Sequence, residues 1–276
     1  MTLELQKKVN QAVRFLQCYD DPQNPVEIAY SGGKDSDVIL QLAKEAGIHF
    51  RAIYKNTTID PPGTIAHVKA MGVEIMQPQM TFFQMIAKKG FPSRHARFCC
   101  SILKEYKVLD TSILGIRREE SKQRAKRYVE PSACRVYSKT EHVEQIYPIL
   151  YWTTHDIIEF VQERKIQLAP VYYREDGTID FSRRLGCLCC PLASINRRQE
   201  EFAKYPNMVR AYIRAGTKFW NESPNDIAQK KWFTDIYEYF AVNLFYPRLS
   251  KAPLNKTVMF PTDYKELLEK MYNIKL

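Results

Sequence analysis

The 276-residue sequence predicts an α/β fold, a mostly parallel sheet with helices on both faces, followed by a helical C-terminal extension. Short apolar runs at 26–30, 50–54, 73–76, 113–116 and 146–150 have strand length, and helical patterns separate the earlier ones. That alternation is how parallel sheets are built. Gly47 and Gly72 stand where helices end before the next strand, the usual place for a residue that tolerates a left-handed backbone. Beyond Pro191 only helical periodicity remains, at 197–204, 206–220, 224–245 and 262–272. The predicted organisation is an α/β domain over residues 1–192 that carries the grouped cysteines, then a helical region over 193–276.

Each element has a local cause. Residues 1–18 alternate polar positions with Leu3, Leu5, Val9, Val13 and Leu16. This spacing describes an amphipathic surface helix, not a charged-then-apolar signal peptide. The longest apolar runs are far shorter than the roughly 18 residues of a membrane span, so a cytoplasmic protein is expected. The first strand, Val26-Glu27-Ile28-Ala29-Tyr30, breaks at Ser31-Gly32-Gly33-Lys34-Asp35-Ser36 and passes at once into a helical pattern from Asp37 to Ala43. A strand, a Gly-Gly turn and an immediate helix place backbone N–H groups, Lys34 and two hydroxyls around one small anion. The loop reads as a phosphate site. Its spacing is neither that of a Walker A loop nor GxGxxG.

In parallel sheets ligands sit beyond the carboxyl ends of the strands, where this loop, residues 56–62 and residues 115–121 all fall. Arg117, Arg118 and Ser121 follow the run that ends near Gly115. Arginine's planar fork pairs with phosphate at two points and stabilises negative charge that builds up there. Asp35 or Asp60 is a candidate Mg²⁺ ligand, and for each an ordinary helix cap or Asx turn is an equal reading. Residues 118–138 carry charge without periodicity, which suggests a mobile loop. The aromatics Trp220, Trp232, Phe233, Tyr237, Phe240 and Phe245 recur at helical spacing, and most are expected in the core, with a base-stacking platform as the alternative.

Lysine and arginine outnumber aspartate and glutamate by 41 to 31. The excess is clustered: Lys88, Lys89, Arg94, His95 and Arg97; Arg117, Arg118, Lys122, Arg124, Lys126 and Arg127; Arg183, Arg184, Arg197 and Arg198. Such clusters attract polyanions, and a solvated basic face is the plain alternative.

Five of the seven cysteines fall into two groups, Cys99-Cys100 and Cys187-Leu188-Cys189-Cys190. In a reducing compartment this spacing points to metal before disulfide. Adjacent Cα atoms lie about 3.8 Å apart with diverging side chains, which strains joint binding to one ion. A [4Fe-4S] cluster offers each thiolate its own iron and is the expectation, with zinc as the alternative. Cys18 and Cys134, alone in sequence, are expected to act as small apolar residues.

With these residues in view the chain resembles the PP-loop family of N-type ATP pyrophosphatases, whose signature is SGGKDS, and in particular its phosphoadenosine phosphosulfate (PAPS) reductase branch. The supporting segments are Asn56-Thr57-Thr58-Ile59-Asp60-Pro61-Pro62, Cys99-Cys100-Ser101-Ile102-Leu103-Lys104, Gly115-Ile116-Arg117-Arg118-Glu119-Glu120-Ser121, Tyr147-Pro148-Ile149-Leu150-Tyr151-Trp152 and Gly186-Cys187 to Cys190-Pro191. The resemblance implies an adenine nucleotide alpha hydrolase-like fold that splits ATP between the α and β phosphates. It implies ATP and phosphate contacts from Ser31, Gly32, Gly33, Lys34, Asp35, Ser36 and Ser121, and catalytic roles for Lys34, Arg117 and Arg118. It implies cluster ligands Cys99, Cys100, Cys187 and Cys190. Cys189 is then surplus: a buried small residue, a substitute ligand, or a thiol beside the cluster.

Reductases of this family attack sulfate sulfur with a cysteine in a C-terminal tail, and here no cysteine follows Cys190. The expectation therefore shifts to the sulfur-inserting members, which adenylate an oxygen of a nucleic acid and replace it with sulfur from a cysteine desulfurase or other donor. DNA phosphorothioation is the leading form. A sulfonucleotide reductase using Cys189 or Cys134, and a non-catalytic nucleotide-binding redox sensor, are the alternatives.

Overall fold

The computed structural model describes residues 1–137, 141–246 and 252–276. The chain divides into two compact units. The first comprises residues 1–56, 60–77 and 105–186, and the second residues 57–59, 78–104 and 187–276.

The first unit is the α/β body. Its elements are α1 (Leu3–Gln17), β1 (Val26–Tyr30), α2 (Lys34–Ala46), β2 (Phe50–Lys55), α3 (Thr64–Ala70) and β3 (Glu74–Met76). After the excursion into the second unit, which holds α4 (Phe82–Lys89) and α5 (Phe98–Leu103), come β4 (Thr111–Ile113), α6 (Lys122–Arg127), β5 (Ser132–Val136), β6 (His142–Ile146) and α7 (Thr154–Glu163). The sheet order is β3-β2-β1-β4-β6-β5. All neighbours are parallel except the β5–β6 pair, where β5 closes the edge in antiparallel sense. The order reverses between β1 and β4, which opens a crevice at their carboxyl ends. Ile28, Val38, Ile39, Leu42, Ile113, Ile146 and Phe160 are fully buried at the centre of this unit's core. Leu5, Val9, Ala12 and Leu16 form the inner face of α1, while Leu3 is 84% exposed.

The second unit is helical, with α8 (Ile195–Lys204), α9 (Pro206–Glu222), α10 (Ala228–Trp232), α11 (Ile236–Phe245) and α12 (Tyr264–Tyr272) joining α4 and α5. Its centre is aromatic. Tyr212 is fully buried and meets Phe82, Phe83, Phe202 and Phe240 edge to face, with ring centroids 5.4–5.9 Å apart, the geometry the ring quadrupole prefers.

Several expectations are corrected here. The sequence boundary near residue 192 is displaced, because α4 and α5 bury Phe82, Met85, Ile86 and Leu103 in the helical unit's core and take the grouped cysteines with them. The last strand is His142–Ile146, and residues 147–150 form the turn that follows. Residues 118–137 hold a short 3₁₀ turn, α6 and β5, so that β-pairing orders what lacked a periodic signal; Ser138 lies outside the described residues. The single helix expected over 224–245 is two, because Phe233 takes an extended backbone after α10. Trp232 is 50% exposed and not a core residue, and Cys18 and Cys134 are exposed. No helix among the described residues is long and apolar enough to cross a membrane.

Gly216 lets α9 approach the 90–92 turn. A Cβ there would stand 2.5 Å from Phe91 Cζ and 2.8 Å from Ile236 Cδ1. Overpacking a tight site costs about 1–3 kcal/mol, which exceeds the roughly 1 kcal/mol helix-propensity gain over glycine. Gly216→Ala is expected to lower stability by about 1–2 kcal/mol in urea unfolding, and an unchanged midpoint would refute the close approach.

Candidate active site and cysteine pocket

In the α/β unit the Ser31–Ser36 loop leaves β1 at the switch point. Gly32 has φ +75°, a left-handed turn that lets the chain pass from strand to helix with no intervening residues to spare. Gly33 is the N-cap of α2 and offers no side-chain cap, so the first N–H groups of the helix are left to other acceptors. Hydroxyls shape the loop: Ser31 Oγ donates to Ser36 Oγ at 3.2 Å, Ser36 Oγ donates to the Gly33 carbonyl at 2.7 Å, and Gly33 N–H donates to Ser31 Oγ at 3.3 Å.

Residues 172–185 pack on this loop. Tyr172 Oη accepts from Lys34 N–H at 3.1 Å and from Leu185 N–H at 3.4 Å, and burial pushes its pKa up to about 12, so it stays a neutral phenol. Leu185 Cδ2 would lie 3.3 Å from a Cβ on Gly32. Lys34 is only 5% exposed; its ammonium donates to the Arg183 carbonyl at 3.4 Å, sits 3.7 Å from Asp35 Oδ2 and lies 5.4 Å from the Tyr172 ring centroid.

The loop after β4 meets α2 from the other side of the switch point. Gly115 lies against the Asp35 backbone, where a Cβ would be 3.0 Å from the carbonyl carbon and oxygen. Arg117 Nε donates to Asp35 Oδ1 at 2.7 Å, and its Nη1 reaches Glu119, the Trp152 carbonyl and Thr154 Oγ1 at 3.3–3.4 Å. At 3% exposure this guanidinium is an internal clasp. Arg118 instead lies 5.7 Å from the Tyr151 ring centroid, and Ser121 is the N-cap of α6, accepting from Arg124 N–H at 3.1 Å. Asp35 is thus engaged by two cations, and Glu120 collects Arg124 and Arg184.

Behind the loop, Tyr30 donates to Asp37, and His67 Nε2 is 3.0 Å from both Tyr30 Oη and Asp37 Oδ1. Burial pushes the Asp37 carboxyl above its ordinary range, partly opposed by His67. This trio ties the end of β1, the first turn of α2 and α3 together. Tyr30 and Asp37 adjoin the loop, but their contact with His67, and the contacts of Tyr172 and Arg183, carried no signal in the sequence, since these three partners are more than 25 residues from the loop they support.

In the helical unit Cys99, Cys100, Cys187 and Cys190 line one small pocket with Ile59, Phe82, Leu103 and Pro191. All are free thiols. The adjacent Cys100, burial and the nearby thiols push the pKa of Cys99 up; burial does the same for Cys190. Among the described residues no three His, Cys, Asp or Glu side chains are gathered as for a single metal ion. The 187–190 turn is anchored by its backbone: Leu188 N–H donates to the Ile59 carbonyl at 2.7 Å, Cys189 N–H to Glu201 Oε2 at 2.7 Å, and Tyr212 Oη to the Cys189 carbonyl at 2.8 Å. Cys189 is fully buried at φ +50°, does not line the pocket, and burial raises its pKa. Of the open readings for Cys189, this placement favours the buried small residue.

Residues 25–193 match the phosphoadenosine phosphosulfate reductase domain family. An uncharacterised protein of Methanocaldococcus jannaschii is 28% identical over 227 residues, 73% of this chain and 45% of that protein. Sulfate adenylyltransferase subunit 2 of Shewanella pealeana is 28% identical over 187 residues, 55% of this chain and 61% of that subunit. The chain spans about half the length of the first curated relatives it matches. Among solved structures, the U34-tRNA thiolase of Methanococcus maripaludis with its [4Fe-4S] cluster aligns with TM-score 0.43 and 13% identity, covering 81% of this chain and 84% of that one.

The internal position of Arg117 generates a test. Arg117→Lys removes the fork that reaches four acceptors and leaves Asp35 and two buried oxygens short of donors. A loss of about 2–4 kcal/mol in urea unfolding is expected, against under about 0.5 kcal/mol for Arg118→Ala; equal effects would refute the clasp.

Proposed function

The chain belongs to the phosphoadenosine phosphosulfate reductase domain family, and we propose that it is an ATP pyrophosphatase that adenylates a nucleic-acid oxygen for sulfur transfer. The observation that carries this reading is the Ser31–Ser36 loop, an uncapped helix start with a left-handed glycine at the switch point of a parallel sheet. Backbone N–H groups and the helix dipole suit a polyphosphate there. Lys34, now held by a neutral carbonyl and Asp35, gains a more highly charged partner when pyrophosphate is present. The acceptor oxygen attacks the α-phosphorus, the α–β bridging bond breaks, and pyrophosphate leaves. A sulfur nucleophile from a separate donor then displaces AMP. Similarity to a sulfate adenylyltransferase subunit supports adenylation as the chemistry. DNA, in backbone phosphorothioation, is the preferred acceptor, and the basic clusters support a polyanion. Mg²⁺ accompanies the ATP.

We read the cysteine pocket as a [4Fe-4S] site in preference to zinc. Zinc draws four sulfurs to about 2.3 Å from one point, whereas a cubane takes one thiolate at each of four irons. Four free thiols line one apolar pocket, which supports the second reading. Cys99, Cys100, Cys187 and Cys190 would hold the cluster, which when bound supplies sulfur-binding, redox-active iron.

Lys34→Ala is expected to lower pyrophosphate release from ATP, Mg²⁺ and DNA at least about 100-fold, the scale for removing a charge-stabilising contact, with iron content unchanged. Release of neither pyrophosphate nor AMP by the parent chain, with DNA or RNA and a cysteine desulfurase present, would sink the proposal. Anaerobic purification is expected to give iron and acid-labile sulfide, both lost in Cys187→Ser and retained in Cys189→Ala; zinc in their place would overturn the cluster assignment.

A further inference from the structure

The helical unit contains a second, much larger cavity of about 760 Å³, within the range of small-ligand sites. Its lining combines two chemistries. Phe98, Trp232 and Phe233 supply flat apolar walls, and Lys89, Arg94 and Arg198 supply positive charge. No carboxylate is among the described residues that line it.

Arg198 marks the cavity as built for an anion. It is 5% exposed, so its charge is almost wholly removed from water. Nη1 donates to the Pro191 carbonyl at 2.9 Å, but Nε is buried with no acceptor. Burial and the neighbouring Arg94 both press its pKa downward. A buried guanidinium with a like charge beside it is costly unless an anion meets the part of it that lines the cavity. Lys89 Nζ lies 5.6 Å from the Phe98 ring centroid, so charge and ring are presented together. Inorganic phosphate alone would satisfy the cations and leave the aromatic walls wet. A nucleotide satisfies both, its phosphate on the arginine fork and its base against the rings. In a duplex the base faces are already stacked, so a single strand is the form that offers them.

We propose that this cavity binds one nucleotide of a single-stranded nucleic acid, with the phosphate at Arg198 and Arg94 and the base among Phe98, Trp232 and Phe233. The site stands apart from the ATP reading, because its residues are not those of the Ser31–Ser36 loop, and binding is measured without ATP. Absence of strand binding and absence of pyrophosphate release are therefore separate results.

The test is fluorescence anisotropy of a short labelled single strand with the full chain, alongside the blunt duplex, a nucleoside monophosphate and inorganic phosphate as competitors. Arg94 is exposed, so Arg94→Glu reverses charge without touching the core. It is expected to weaken single-strand binding at least about 10-fold and to reduce the log–log salt slope by about one or more. Trp232→Ala is expected to weaken it about 5- to 100-fold, the range for losing one stacked base, and Arg198→Gln at least as much as Arg94→Glu, with an unchanged far-UV spectrum. Single-strand affinity insensitive to both Arg94→Glu and Trp232→Ala overturns the proposal. So does loss with Arg94→Glu alone, which reduces the cavity to surface charge, and so does a preference for the duplex or binding of inorganic phosphate without the strand.

Discussion

The ion pair between Arg117 and Asp35 is the contact on which the α/β unit's candidate site depends. A doubly wound sheet opens a crevice only where neighbouring strands send their chains to opposite sides, and here those strands are β1 and β4. The loops leaving them would separate unless something crossed the gap. Arg117 crosses it from the β4 side and grips the first turn of α2 at Asp35. The missing Cβ at Gly115 lets the backbones come close enough for the pair to form. Because the guanidinium is buried, the attraction is little screened by water, and its remaining N–H groups are taken up by Glu119, Thr154 and a main-chain carbonyl. On this clasp rest the orientation of α2 and the placement of Lys34.

A comparable economy governs the cysteine turn. Residues 187–190 have no regular hydrogen-bond ladder, so side chains and a distant carbonyl satisfy their backbone. Tyr212 serves twice, as the hub of the aromatic core and as the donor to the Cys189 carbonyl. Turning Cys189 inward leaves Cys187 and Cys190 on the pocket that also receives Cys99 and Cys100. The rigidity of the aromatic core is thereby passed to the turn that carries Cys187 and Cys190.

Much of this was legible without coordinates, and particular residues show why. The β1 run and Gly32-Gly33 declare themselves because strand period, left-handed turn and helix start are local properties of neighbouring residues. The grouped cysteines declare themselves by spacing. Arg117 illustrates the boundary: its place in the crevice followed from its position after β4, but its inward rotamer did not, since that depends on Asp35 more than 80 residues away. The 118–138 stretch carries no periodic signal although β5 lies in it, because an edge strand needs only a partner and not a strong pattern of its own. Tyr172, Arg183 and His67 gave no signal as site residues because each stands more than 25 residues from the loop it supports; Asp37 adjoins the loop, but its pairing with His67 is long-range.

By itself the sequence determined the α/β class, the strand–Gly-Gly–helix passage at Ser31–Ser36, the two cysteine pairs and the family, since these rest on local spacing and on motifs that follow in order. The tertiary structure alone decided that the cysteines belong with the helical unit, that Cys189 turns away from the pocket, that Arg117 is a clasp, and that Arg198 and Trp232 border one cavity. Those outcomes follow from burial and from contacts between residues far apart in the chain, where packing, and not the chemistry of any short segment, selects the conformation.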